Sequence, residues 1–177
     1  MMKHKLVIFT DIGDTIIDEG TEVREVEDGV VLRADCIPGA KETMLALYEE
    51  GYPIVMVADG LVESFYNTMT QNGLEHIFTA KVISETLNTQ KPDPRMFQTA
   101  MDALKLTDAD KARVIMVGNN VERDVAGANR FGITSVQLVW SDRHPTVARC
   151  DDEVADYQIH APQELLALVK MLEEKLN

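Results

Sequence analysis

Six short apolar runs recur along the chain, and the stretches between most of them follow a different period. The runs are "KLVIF" at 5–9, "YPIVMV" at 52–57, "AKVI" at 80–83, "ARVIMV" at 112–117, "ITSVQLVW" at 133–140 and "DYQIH" at 156–160. Continuous apolar runs of this length suit strands covered on both faces. Between them, "PGAKETMLALYEEG" has Pro38 near its start and Gly51 just past its end, the asymmetry of a helix. "LVESFYNTMTQNG", "PDPRMFQTAMDALK", "VERDVAGANRFG" and "APQELLALVKMLEEKL" carry apolar residues at helical spacing. Strands alternating with such helices predict βαβ units on a parallel sheet. The expected fold is therefore α/β, a three-layer αβα Rossmann-like arrangement.

One stretch breaks the alternation. Residues 16–36, "IIDEGTEVREVEDGVVLRADC", alternate valines and charges around Asp28-Gly29 and predict a small β-hairpin. The expectation is a single domain over 1–177, with 16–36 inserted as a flap. The length of 177 residues suits one core.

Composition limits the partners. A net charge of −13 argues against a nucleic-acid backbone and against anionic membrane surfaces. Any small anionic substrate then needs a local cation, either a metal or a lysine. Cys36 and Cys150 lie far apart without metal-type spacing, which fits a reducing compartment, with one disulfide as the alternative. The run "LVIF" is too short for a signal-peptide core, and a cytoplasmic location is expected.

In open parallel sheets, ligands bind beyond the carboxyl ends of the strands. Asp11, Asp59, Gly118 and Asn119 all fall there. Each also has a plain explanation: Asp11 in a turn, Asp59 as a helix cap, Lys91 on the surface, Asp124 near a helix start.

Together and in this order, "FTDIGDT", "VADG", "KPDPRMF" and "MVGNNVERDVAGANRFGI" resemble the haloacid dehalogenase-like superfamily, most of whose members are magnesium-dependent phosphatases. The segment "EHIFTAKVISETLNTQKPDPRMF" resembles the lead into that family's lysine motif. The resemblance runs from about Lys5 to the C-terminus and omits only 16–36. It implies a hydrolase of small phosphorylated compounds, with the flap standing where a large cap would be. Asp11 would be the nucleophile, forming an aspartyl-phosphate that water hydrolyses. Lys91 would neutralise Asp11 and the phosphoryl oxygens. Ala58, Asp59 and Gly60 would bind phosphate, the latter two through backbone N–H groups. Mg²⁺ would be held by Asp11, the Gly13 backbone carbonyl, Asp124 and Asn119. Thr15 would support the loop, and Asp14 would point away from the reaction centre as a hydrogen-bonding residue.

The departures from the family pattern also carry weight. Gly13 stands where the family has its general acid/base, Ala58 where it has Ser or Thr, and Asn119 where it has an acid. Loss of a general acid/base typically costs about 10²–10⁴ in rate. The alternative is a weakened or inactive binding or regulatory module on the same fold. A hydrolytic dehalogenase ranks below both, and a receiver domain is rejected because two further βα units follow Lys91-Pro92. An open site could also take a lid from a neighbouring subunit, as in a homodimer. Arg143 and His144, in "WSDRHPTVARCDDE", are candidate substrate contacts or parts of a solvated loop.

Overall fold

The structure, a computed structural model, describes residues 6–176. Lys3, His4 and Lys5, and the outermost ends of the expected 1–177 domain, lie outside the described residues.

In chain order the main elements are β1 (Val7–Thr10), β2 (Val23–Arg24), β3 (Val31–Arg33), α1 (Ala40–Glu50) and β4 (Ile54–Ala58). Then come α2 (Val62–Asn72), β5 (Ala80–Ile83), α3 (Ser84–Leu87), α4 (Pro94–Ala103), β6 (Val114–Gly118) and α5 (Ala126–Phe131). The chain continues through β7 (Thr134–Leu138), β8 (Tyr157–Ile159) and α6 (Glu164–Lys175). Six strands form one sheet in the order β5-β4-β1-β6-β7-β8. Every neighbouring pair in it is parallel.

Strand side chains alternate between the two faces, and the apolar residues divide accordingly. Ile8, Met56, Ile115 and Val117 pack with Leu47, Leu165 and Val169 of α1 and α6. Val7, Phe9, Val55, Val57 and Met116 pack with Met96, Phe97 and Ala100 of α4 and Ala128 of α5. The sheet is thus buried between helical layers, which explains why its strands read as unbroken apolar runs.

Two segments differ from the sequence expectation. "VERDV" opens with a wide π-type turn at Val121–Val125, and regular helix begins only at Ala126. Asn120 caps that turn, its side-chain oxygen accepting from the N–H groups of Glu122 and Arg123. Ser84–Leu87 adds a short helix after β5.

The flap contains the antiparallel pair β2–β3, turned through Asp28-Gly29, with Gly29 in the left-handed region at φ 74°. It is fastened to α2 rather than loose. Val31 N–H donates to Ser64 Oγ at 2.9 Å, and Asn67 Nδ2 donates to Val31 O at 3.1 Å. Ala34 N–H donates to Gln71 Oε1, and Asn72 Nδ2 returns a bond to Ala34 O. The flap is therefore a fixed wall standing beside the carboxyl ends of the strands.

Ser64→Ala leaves the buried Val31 N–H without its acceptor, and an orphaned buried donor costs about 1–3 kcal/mol. Urea unfolding should show a lower midpoint with an unchanged slope. An unchanged midpoint would mean that the flap is held by other contacts.

Candidate active site

Thr10 pairs with Met56 on one side and Val117 on the other, so β1, β4 and β6 end at one level. The chain leaves β1 to one side of the sheet and later crosses to the other. That reversal opens a crevice at the carboxyl end of β1. Asp11 stands in it, its N–H donated to Val117 O at 2.9 Å.

Lys91 reaches this crevice from the loop before α4 and is 1% exposed. Its ammonium makes three bonds, to Asp11 Oδ1 at 2.9 Å, Asp124 Oδ1 at 2.7 Å and Val57 O at 2.8 Å. These use all three N–H donors of the group. Asp59 accepts the Lys91 backbone N–H at 3.0 Å and fixes the loop that carries it. Burial alone would discharge Lys91. The charges of Asp11, Asp124 and Asp59 outweigh that effect and hold its pKa above the ordinary value, so it stays protonated.

Asp124 projects from the wide turn, and its other oxygen accepts the Asn120 N–H at 3.0 Å. A Cβ on Gly118 would overlap the Asp124 carboxyl, so a glycine is needed there. Burial, and then the charge of Asp11, raise the pKa of Asp124, with Lys91 opposing them. Two carboxylates share one ammonium, and the site is short of positive charge.

A hard cation would relieve that shortage. Asp11, Gly13 and Asp124 all line the cleft. Asn119 is fully buried and does not line it; the neighbouring Asn120 does. The Asn119 amide nitrogen is turned to Leu138 O at 3.2 Å and Ser141 O at 3.3 Å. Its Oδ1 has no hydrogen-bond donor among the described residues. The buried Asp124 carboxylate, the half-buried Asp11 carboxylate, a backbone carbonyl and an orphaned amide oxygen are hard oxygen donors, which suit Mg²⁺ rather than a soft metal.

Of the expected phosphate contacts, Asp59 and Gly60 line the cleft and Ala58 does not. Ala58 is fully buried and lends nothing to the cleft lining. Gly60 N–H is already donated to Ser84 Oγ at 2.9 Å. Helix α2 begins only at Val62, so Asp59 does not cap it. Asp59 instead holds Lys91 and meets Arg123 at 3.4 Å. Arg123 and Arg24, passed over in the sequence, line the cleft as further cations.

The loop after β7 is also not simply solvated. Arg143 forks onto Asp14, with Nε to Oδ2 at 2.8 Å and Nη2 to Oδ1 at 2.9 Å, and it also pairs with Asp18. Asp14 adopts a left-handed φ of 49°, a conformation that aspartate tolerates. Its carboxyl accepts Ser141 Oγ and the Glu19 N–H as well. Arg143 is thus spent on structure rather than free for a substrate. His144 Nε2 meets Glu19 Oε2 at 2.9 Å, and both residues line the cleft. Burial pushes the Glu19 carboxyl up, and the bond to His144 only partly opposes this. Ligand atoms of Asp14, Glu19 and His144 lie within 4.8 Å of one another. The Arg143 guanidinium already supplies the cation there. Thr15 is buried, and its Oγ1 has no hydrogen-bond partner among the described residues. No helix among the described residues is long and apolar enough to cross a membrane.

A family model described as haloacid dehalogenase-like hydrolase matches residues 8–138. The glyceraldehyde 3-phosphate phosphatase of Methanopyrus kandleri is 30% identical over 135 residues, covering 76% of this chain and 57% of the relative. The pyrimidine 5'-nucleotidase of Streptococcus pneumoniae is 26% identical over 142 residues, covering 80% of this chain and 57% of its own. The chain thus spans little more than half the length of these curated relatives. A haloacid dehalogenase-like phosphatase structure from Thermococcus onnurineus superposes with a TM-score of 0.72 at 18% identity, covering 93% of this chain and 97% of that one. That likeness speaks to the fold.

The Arg143 clasp has a pH signature. Burial pushes the Asp14 carboxyl up, but bonds from Arg143, Glu19 and Ser141 outweigh it and hold the pKa low. Its contribution is present above the unfolded carboxylate value of about 4 and is lost as pH falls through the lower native value. Arg143→Met should cost about 1–3 kcal/mol at pH 7, below the fully buried range because Arg143 is 41% exposed. The loss should shrink toward acid pH, where Asp14 protonates in the variant. Urea titrations at neutral and acid pH measure it, and an equal loss at both would exclude the ion pair as its source.

Proposed function

We propose, on the premise that this chain belongs to the haloacid dehalogenase-like hydrolase family, that it hydrolyses small phosphorylated compounds through a covalent aspartyl-phosphate on Asp11. The observation that carries this reading is the single buried ammonium of Lys91, shared by Asp11 and Asp124 at the mouth of one cleft. A scaffold gains little from such a pairing, since buried ion pairs are weak sources of stability. The phosphatase, nucleotidase and pyrophosphatase names of the relatives support the same class of substrate. The cleft, about 230 Å³ in volume, suits a small compound.

Asp11 attacks phosphorus with a carboxylate oxygen while the ester oxygen departs. Lys91 stays charged throughout and offsets the charge that gathers on the phosphoryl oxygens, a point-charge role suited to lysine. Arg123, at the rim, attracts the dianion into an otherwise acidic protein. Asp59 keeps Lys91 in place through the backbone and positions Arg123. Water then releases phosphate and restores Asp11. Asp11, Asp124, the Gly13 carbonyl and Asn119 Oδ1 would hold Mg²⁺, which when bound supplies further charge stabilisation to the phosphoryl group.

A second reading, a binding module on the same fold, is favoured by one observation. With Ala58 in place of a hydroxyl and Gly60 N–H spent on Ser84, fewer donors remain to hold phosphate.

A panel of phosphorylated metabolites, assayed with and without Mg²⁺, separates the two. Wild type should turn over at least one compound with Mg²⁺. Asp11→Asn should lose about 10³-fold or more, as expected for a nucleophile. No turnover above the variant on any compound would remove the hydrolase reading and leave the binding module.

A further inference from the structure

We infer that Glu19 is the proton donor and acceptor of this site, giving a proton to the departing ester oxygen and then taking one from the attacking water. This rests on the hydrolase reading, with Asp11 as nucleophile. An alkyl phosphate leaves as a poor leaving group unless its oxygen is protonated as the bond breaks, and water attacks well only if a base removes its proton. The cleft must therefore contain a group able to do both, and the candidates are its carboxylates and the His144 imidazole, which is held on both oxygens of Glu19.

The carboxylates lining the cleft can be sorted by their partners. Asp11 and Asp124 are bound to Lys91, Asp59 meets Arg123, and Glu22 is bound to Arg24. Among the described lining residues, Glu19 is the carboxylate not paired with a lysine or arginine; its partner is His144, at 2.9 Å. Glu19 is also held in place. It is the first residue of a short 3₁₀ turn, Glu19–Thr21, capped by Asp18, and its N–H donates to Asp14 Oδ1 at 3.1 Å.

Gly13 leaves the space in which the Glu19 carboxyl lies. A Cβ on Gly13 would overlap Glu19 Oε1 and lie 2.9 Å from the Glu19 carboxyl carbon. No left-handed φ at Gly13 explains the glycine. Its missing side chain is a matter of space: two positions past Asp11, the loop is pared away so that a carboxyl from the following turn comes against it.

The step balances. Asp11 Oδ bonds to phosphorus as the phosphorus–ester bond breaks, and the ester oxygen takes the proton of the Glu19 carboxyl and leaves as an alcohol. The Glu19 carboxylate then takes a proton from water. The water oxygen bonds to phosphorus, the bond to Asp11 breaks, and inorganic phosphate leaves with Asp11 ionised and Glu19 protonated again.

Glu19→Gln tests this, since it preserves size and an oxygen for His144 while removing the exchangeable proton. Two esters serve as probes: p-nitrophenyl phosphate, whose leaving group needs no proton, and glycerol phosphate, whose leaving group does. With glycerol phosphate the variant should lose about 10²–10⁴ in turnover. With p-nitrophenyl phosphate it should release one equivalent of nitrophenol in a burst and then stall, because the acyl phosphate forms but water is not activated. Equal losses on both esters without a burst, or wild-type turnover on both, would overturn the assignment of Glu19. Wild-type protein inactive on both esters and on every compound of the metabolite panel would remove the hydrolase reading, and this assignment with it. Thermal unfolding of the variant alongside wild type confirms that a folded protein is being compared.

Discussion

A buried ammonium must be paired or it loses its proton, and the Lys91 ammonium is paired by residues from three parts of the sheet. Asp11 follows β1, the Val57 carbonyl lies on β4, and Asp124 hangs from the turn after β6. Asp59 adds a fourth link by holding the Lys91 backbone. The arrangement depends on the strand order, which sets β1 between β4 and β6 with their ends level. It gathers two carboxylates and one ammonium at the carboxyl ends of the strands.

Around this centre stand two walls. The flap is pinned to α2 by Ser64, Asn67, Gln71 and Asn72, each bonding the backbone of Val31 or Ala34. The loop after β7 is pinned to the loop after β1 by Arg143 on Asp14 and His144 on Glu19. Asp14 is then an anchor: a carboxylate in a left-handed turn, held by a guanidinium and absent from the cleft lining. Its neighbour Gly13 opens the space through which Glu19 reaches the cleft. The residue types at Gly13 and Asp14 thus bear on which carboxyl groups line the cleft.

The strands were readable because a sheet covered on both faces needs no polar side, so "YPIVMV" and "ARVIMV" stand out from their surroundings. That Asp11, Lys91 and Asp124 meet was readable through family resemblance, because the order and spacing of the motifs place them together. What escaped was whatever depends on pairing across the chain. Arg143 and Asp14 are 129 positions apart, and nothing in "WSDRHP" distinguishes a clasp from a solvated loop. Glu19 lies in "DEGTE", which has the composition of an exposed turn. The wide turn at Val121–Val125 was hidden because its residues are those of an ordinary helix start. Gly60 appeared to offer a free N–H only because the approach of Ser84, from the next strand end, is a tertiary fact.

The proposed hydrolysis requires that Asp11 become phosphorylated. The direct measurement is acid quenching of the protein during turnover of p-nitrophenyl phosphate with Mg²⁺, followed by peptide mapping by mass spectrometry. A phosphoryl group on the peptide containing Asp11, absent from Asp11→Asn and accumulating when hydrolysis is slowed, is the expected result. A phosphoryl group on another side chain, or turnover with no covalent intermediate at any time point, would contradict it.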